Sequence, residues 1–136
     1  MEQLTIYDLV AVAKSRIEGL SPTDVAAALD GETLLVDVRE PEERESAGVI
    51  PGAFPVPRGV LEFWADPENP NHRSELDRSR RTIFYCDSGD RSALAADALQ
   101  RLGHWSVAYL EGGLKVWIEV GRQVEGLERD LGSCAR

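Results

Sequence analysis

Residues 34–38 form a short, almost wholly apolar run, Leu34 to Val38, set off by a glycine turn, and the chain carries two more such runs at 82–86 and 107–110. A run without polar alternation is what a strand buried on both faces requires, and both faces can be covered only if helices lie between successive strands. Helical signals do lie between them, so the alternation predicts an α/β domain built on a parallel sheet.

The helix signals are specific. Thr5 followed by Asp8 has the form of a capping box, and Leu9, Val12, Ala13 and Ile17 recur at helical spacing, which predicts a helix over 5–18. Ser21, Pro22 and Asp24 open a second helix that ends near Asp30 and Gly31. Pro41, Glu42 and Glu43 begin a short third one, after which Ile50, Pro51 and Gly52 turn the chain into an extended run over 53–56. Residues 92–102 are rich in Ala and Leu and break at Gly103, and Leu114, Trp117 and Ile118 mark a closing helix that stops at Gly121. Residues 63–77, with Pro67 and Pro70, read as an excursion loop; its lead-in, Phe63 and Trp64, either lines a pocket or packs as core beneath the loop. The tail, 127–136, has little apolar content and is expected to fray.

At 136 residues and 43% hydrophobic content the chain suffices for one core, and no internal repeat or linker divides it. A net charge of −9 removes the basic surface that nucleic acid or an anionic membrane would need, leaving a small molecule or another protein as partner. The first ten residues lack the basic and apolar regions of a leader, and no apolar run has transmembrane length. Cys86 and Cys134 form no Cys-x-x-Cys pair, so neither a disulfide framework nor a zinc site is indicated and a reducing cytoplasm fits. His72 and His104 stand in loop and turn contexts without a second ligand, and surface or capping roles are expected of them. No cofactor or metal is called for. Trp105 and Trp117 are expected to pack in the core or at its edge.

The chemistry concentrates in Cys86, Asp87, Ser88, Gly89, Asp90, Arg91 and Ser92. An apolar strand delivers Cys86 to the carboxyl edge of the sheet, a glycine-containing loop follows, and a helix begins at once; such a loop turns several backbone N–H groups toward one point. A helix N-terminus and a nearby cation favour the thiolate, the form of cysteine that attacks. Arg91 supplies that cation and Gly89 the backbone freedom. Asp87 and Asp90 act in the opposite sense, each opposing a thiolate about 6 Å away by roughly 0.7 kcal/mol in a water-like dielectric. Asp37, Arg39 and Arg58 could frame the rim of the pocket, although charged residues at strand ends are more often structural ion pairs.

Residues 86–92 resemble the active-site loop of the rhodanese homology domain, Cys-x-x-Gly-x-Arg followed by Ser. The same family shows Asp-x-Arg-x-Pro-x-Glu, matched by Asp37, Arg39, Pro41 and Glu43, then Gly-His-Ile-Pro-Gly-Ala, matched from Gly48 to Ala53 except for Val49 in place of His. Its Leu-x-Gly-Gly-x-x-x-Trp is matched by Leu110, Gly112, Gly113 and Trp117. Three ordered motifs make the likeness specific. Pro57, Arg58 and Gly59, with the Leu-Glu-Phe-Trp that follows, resemble a bacterial single-domain subgroup.

The resemblance implies a three-layer α/β/α fold with a five-stranded parallel sheet over 20–126, preceded by an extra helix in 1–19 and followed by the tail. It also implies a sulfurtransferase in which Cys86 takes a sulfane sulfur from a donor and passes it, as a persulfide, to a thiophilic acceptor. Donor and acceptor are then a thiosulfate or persulfide and a thiol, cyanide-like molecule or sulfur-carrier protein. The acidic Asp87 and Asp90 favour a persulfide on a small thiol or protein over the thiosulfate dianion. Two other readings stand beside it. One is a binding or redox-sensing module of the same fold, with Cys134 as a candidate resolving thiol. The other, more remote, is a phosphatase or arsenate reductase, whose loop needs five residues between Cys and Arg where Cys86 and Arg91 are separated by four.

Overall fold

A computed structural model describes residues 3–29 and 31–126. Five strands, β1 (Glu18–Leu20), β2 (Leu34–Asp37), β3 (Phe54–Pro55), β4 (Thr82–Tyr85) and β5 (Val107–Leu110), form one parallel sheet in the order β1-β5-β4-β2-β3. The helices are α1 (Ile6–Arg16), α2 (Pro22–Ala28), α3 (Pro41–Ala47), α4 (Leu61–Ala65), α5 (Asp90–Leu102) and α6 (Gly113–Glu119), with a 3₁₀ turn at Arg58–Val60.

Side-chain alternation along the strands divides the core into two layers. Leu34, Val36, Phe84, Cys86, Val107 and Tyr109 pack with residues of α1, α4 and α5 on one face. Leu35, Ile83, Tyr85, Ala108 and Leu110 pack with Val25, Leu114 and Trp117 of α2 and α6 on the other. The sheet is therefore covered on both sides, as its apolar strands require. No helix among the described residues is long and apolar enough to cross a membrane.

The helix starts follow their sequence signals. Thr5 and Asp8 cap α1 reciprocally at 2.8 and 3.2 Å, and the Ser21 hydroxyl accepts the Asp24 N–H at 3.1 Å in front of Pro22. Helix α1 is an integral part of the packing. Ala13 and Ile17 are buried in the larger core, and Arg16 grips the buried Asp97 of α5 through two hydrogen bonds of 3.0 and 2.8 Å. Strand β1 follows α1 directly and pairs Gly19 with Tyr109 of β5.

Some expectations change. Trp105 is 79% exposed, whereas Trp117 is buried and donates its indole N–H to the Gln123 carbonyl at 2.8 Å. His104 is a buried residue, neither a surface nor a capping one: its ring Nε2 lies 3.3 Å from the Leu76 carbonyl oxygen, a hydrogen bond that requires the proton on Nε2. Leu76 is itself fully buried, so the far end of the 63–77 loop is pinned into the core. The tail lies outside the described residues.

Burial pushes His104 below the ordinary histidine range, with the Leu76 carbonyl opposing in part. The unfolded chain then takes up a proton near the ordinary value of about 6.5 before the folded one does, so stability is full above that pH and declines below it. The melting temperature is expected to fall between about pH 7.5 and 5.5, and His104→Gln to flatten that part of the profile, as followed by thermal melts across the range.

Candidate active site

Strand β4 ends at Tyr85, and the next residue, Cys86, stands at the carboxyl edge of the central strand, 1% exposed. The loop that follows folds back over the sulfur. Gly89, at φ +108, turns the chain so that its N–H donates to Cys86 Sγ at 3.1 Å, and the Ser92 N–H of the first turn of α5 donates at 3.4 Å. Only glycine adopts that φ without strain. The Ser92 hydroxyl lies 3.5 Å from Sγ and donates to the Gly89 carbonyl at 3.1 Å, which ties the cradle to its own helix. These donors are the orphan N–H groups of a helix start, and they stabilise negative charge on the sulfur or on an atom attached to it.

The other face of the loop is held by α6. Leu114 N–H donates to the Cys86 carbonyl at 2.9 Å and Lys115 N–H to the Asp87 carbonyl at 3.1 Å. Gly113 (φ +64) makes this approach feasible, because a Cβ there would stand 2.5 Å from the Asp87 oxygen and 2.6 Å from the Cys86 oxygen, both rigid backbone. The Leu-x-Gly-Gly motif is thus the clamp that fixes the Cys86 loop from behind. Gly113→Ala is expected to destabilise the fold by about 2 kcal/mol or more through strain and lost loop bonds, as denaturant melts would check.

Each charged residue of the loop is paired with a different neighbouring element. Arg91 makes a bidentate pair with Glu43 of α3 at 2.8 and 2.7 Å, which holds the Glu43 carboxyl down at about 2. Asp90 meets Lys14 of α1 at 3.0 Å, and Asp87 meets Lys115 of α6 at 3.9 Å. All are part-exposed at the surface of the loop. The six charges sum to zero, so the repulsion expected from the two aspartates is offset by two lysines. Glu43 was legible only as part of the Asp-x-Arg-x-Pro-x-Glu pattern, and Lys14 and Lys115 carried no sequence signal beyond lying on helices that turn out to be adjacent.

Asp37 and Arg39, read as rim candidates, are instead 0% and 1% exposed and lie behind the site. The Asp37 carboxylate accepts from Arg39 Nε and an Arg39 terminal nitrogen at 3.0 and 2.8 Å, from Arg44 at 3.2 Å and from the Tyr85 hydroxyl at 2.8 Å. Arg39 also donates to the Gly48 carbonyl at 2.7 Å, and Tyr85 oxygen accepts the Ile50 N–H at 3.1 Å. Burial raises the Asp37 carboxyl, but these donors outweigh it and hold it below the usual carboxylate range. The network locks the residue before Cys86 to β2, α3 and the 48–50 segment. Val49, where the family usually has His, is a buried residue whose backbone exchanges two hydrogen bonds with Glu125, at 2.8 and 2.9 Å.

The remaining rim candidates have partners of their own. Arg58 pairs with Glu62 one turn on, at 2.8 Å. Phe63 is 58% exposed, and Trp64 packs half-buried against the core beneath the Arg73 guanidinium, 4.0 Å above its ring. Of the two readings of that lead-in, core packing holds for Trp64, whereas Phe63 is exposed and does not pack as core. Cys134 lies outside the described residues.

Residues 21–120 match the family described as Rhodanese-like domain. The chain belongs to that family. A sulfurtransferase of Allochromatium vinosum is 34% identical over 90 residues, which cover 66% of this chain and 76% of the relative. Among solved structures, a protein of Rhodopseudomonas palustris, described as of unknown function and a possible tyrosine phosphatase, superposes with a TM-score of 0.85 at 38% identity, covering 92% of this chain and 99% of that one. The polysulfide-sulfur transferase homodimer of Wolinella succinogenes gives a TM-score of 0.69 at 28% identity, with 90% and 86% covered. Other curated relatives are longer, and the chain spans 21% to 44% of three of them.

Proposed function

We propose that the protein is a sulfurtransferase that carries one sulfur atom on Cys86. The observation that supports this best is the cradle itself: Sγ at the end of a buried strand, with two backbone N–H groups within 3.4 Å and, among the described residues, no histidine or carboxylate hydrogen-bonded to it. Sulfur transfer needs nothing more, since the thiolate attacks a sulfane sulfur without having to activate water or protonate an alkoxide. From a persulfide RSSH, a bond forms between Sγ and the outer sulfur, the S–S bond of the donor breaks, and RS⁻ departs with the electron pair. The outer sulfur and its proton stay on Cys86. From thiosulfate the leaving group is sulfite. In the second half-reaction an acceptor such as a thiolate or cyanide attacks the outer sulfur, and the Cys86 thiolate is released.

The donor we favour is a persulfide on a small thiol or on a sulfur-carrier protein. Among the described residues, the cations that pair with the loop or belong to it, Lys14, Arg91 and Lys115, each have a carboxylate partner, so none of them is a bare positive charge that draws in a compact dianion such as thiosulfate. A reducing cytoplasm would keep Cys86 free. The phosphatase reading suggested by the Rhodopseudomonas description is disfavoured here: four residues separate Cys86 from Arg91, and the Arg91 guanidinium is committed to Glu43 instead of to the space above the sulfur. Side-by-side kcat/KM values decide the donor. Glutathione or cysteine persulfide is expected to exceed thiosulfate, and thiosulfate exceeding every persulfide tried would refute the preference.

A further inference from the structure

Helix α1 lies outside the 21–120 stretch that matches the family, yet it places a charge at the reactive loop. Lys14 projects from α1 to Asp90, the first residue of α5, with Nζ 3.0 Å from Oδ1. Asp90 directly follows Gly89, whose N–H holds the sulfur. The lysine's reach is fixed by its own helix: Ala13 beside it is fully buried, and Arg16 is bound to Asp97 of α5. Both members remain open to an approaching molecule, at 39% and 50% side-chain exposure. The hydrogen bond to Asp90 favours the charged form of Lys14 and outweighs the opposing cost of partial burial. The corresponding contact on the other aspartate, Asp87 with Lys115, is looser at 3.9 Å.

We infer that Lys14 and Asp90 form a charge-selectivity pair at the mouth of the site: Lys14, a positioning residue supplied by the N-terminal helix, cancels the field of Asp90 and so sets how strongly an anionic sulfur donor is admitted. The inference rests on the sulfur-transfer reading given above. It makes the two side chains antagonists. Removing Asp90's charge leaves a free ammonium beside the loop, and removing Lys14's leaves a free carboxylate. A dianion about 8 Å from either group would feel a change of about fivefold in encounter and binding in a water-like dielectric, and a zwitterion of no net charge less than twofold.

The test compares thiosulfate, the dianion, with cysteamine persulfide, the zwitterion, in the full chain at low ionic strength. For Asp90→Asn the ratio of their kcat/KM values is expected to rise about fivefold, and for Lys14→Gln to fall about fivefold. Lys14→Arg should keep the wild-type ratio, the double variant Lys14→Gln/Asp90→Asn should return close to it, and both shifts should shrink at about 0.5 M salt. A purely structural role would lower both donors alike and leave the ratio unmoved. Intact mass after each donor, read in every variant, separates the two possible failures. Ratios within twofold of wild type in both single variants that still take up sulfur would overturn the selectivity pair alone. A wild-type protein that takes up no sulfur from either donor would overturn the transferase reading and this inference with it. If Lys14→Gln does not fold, the Asp90→Asn arm stands alone, and an unmoved ratio there overturns the pair.

Discussion

Cys86→Ser is expected to lose sulfur-transfer activity by about a thousandfold or more while remaining folded. The serine oxygen can accept the same two N–H groups that Sγ accepts, from Gly89 and Ser92, in the same buried position, so the cradle and the core around it are preserved. What is lost is the nucleophile. An alkoxide is not available at neutral pH without a base, and among the described residues no base is hydrogen-bonded to this position. The measurement is steady-state turnover with cyanide as acceptor beside a thermal melt. Residual activity within about tenfold of wild type would place the chemistry elsewhere.

The second large effect concerns Asp37, which touches no substrate. Asp37→Ala is expected to destabilise the protein by about 3–5 kcal/mol, enough to lower the melting temperature by roughly 10–20 °C. The substitution leaves the buried Arg39 guanidinium without its carboxylate, and it removes the acceptor of the Tyr85 hydroxyl and of Arg44 at the same time. Activity should suffer along with stability, because Tyr85 precedes Cys86 and its anchorage to β2 positions the strand end. Thermal and denaturant melts measure the loss. A change under 1 kcal/mol would show that the network is not what holds the end of the sheet.

The parts of the fold that were legible in the sequence are those where one physical signal dominates. Leu34, Leu35, Val36 and Ile83 mark buried strands by unbroken apolarity, and Thr5, Ser21 and Pro22 mark helix starts by capping chemistry. The reactive loop was legible for the same reason: Cys86, Gly89 and Arg91 at a strand-to-helix turn leave little choice of geometry. Strand β1 was missed because Glu18, Gly19 and Leu20 carry one large apolar side chain among them and owe their extended form to pairing with β5. Helix α4 was hidden at the head of what read as an excursion loop. Its buried residues, Leu61 and Ala65, reveal themselves only once the core they enter is known.

The site's supporting charges were illegible for a further reason. Asp37 and Arg39 look alike on paper whether they border a pocket or lie beneath it, and burial by α3 and the 48–50 segment decides the matter. Glu43, Lys14 and Lys115 reach the loop from three helices distant in sequence. No local pattern encodes such a meeting. They also revise the electrostatic expectation drawn from Asp87 and Asp90, since a loop that is acidic in sequence is neutral in its surroundings.

The persulfide on Cys86 is the claim on which the functional account depends, and intact mass of the reduced protein after exposure to glutathione persulfide tests it most directly. A gain of about 32 Da, one sulfur atom, that is absent in Cys86→Ser, present in Cys134→Ser and discharged by cyanide is the predicted result. No gain from glutathione persulfide or thiosulfate, or a gain that persists in Cys86→Ser, would contradict it.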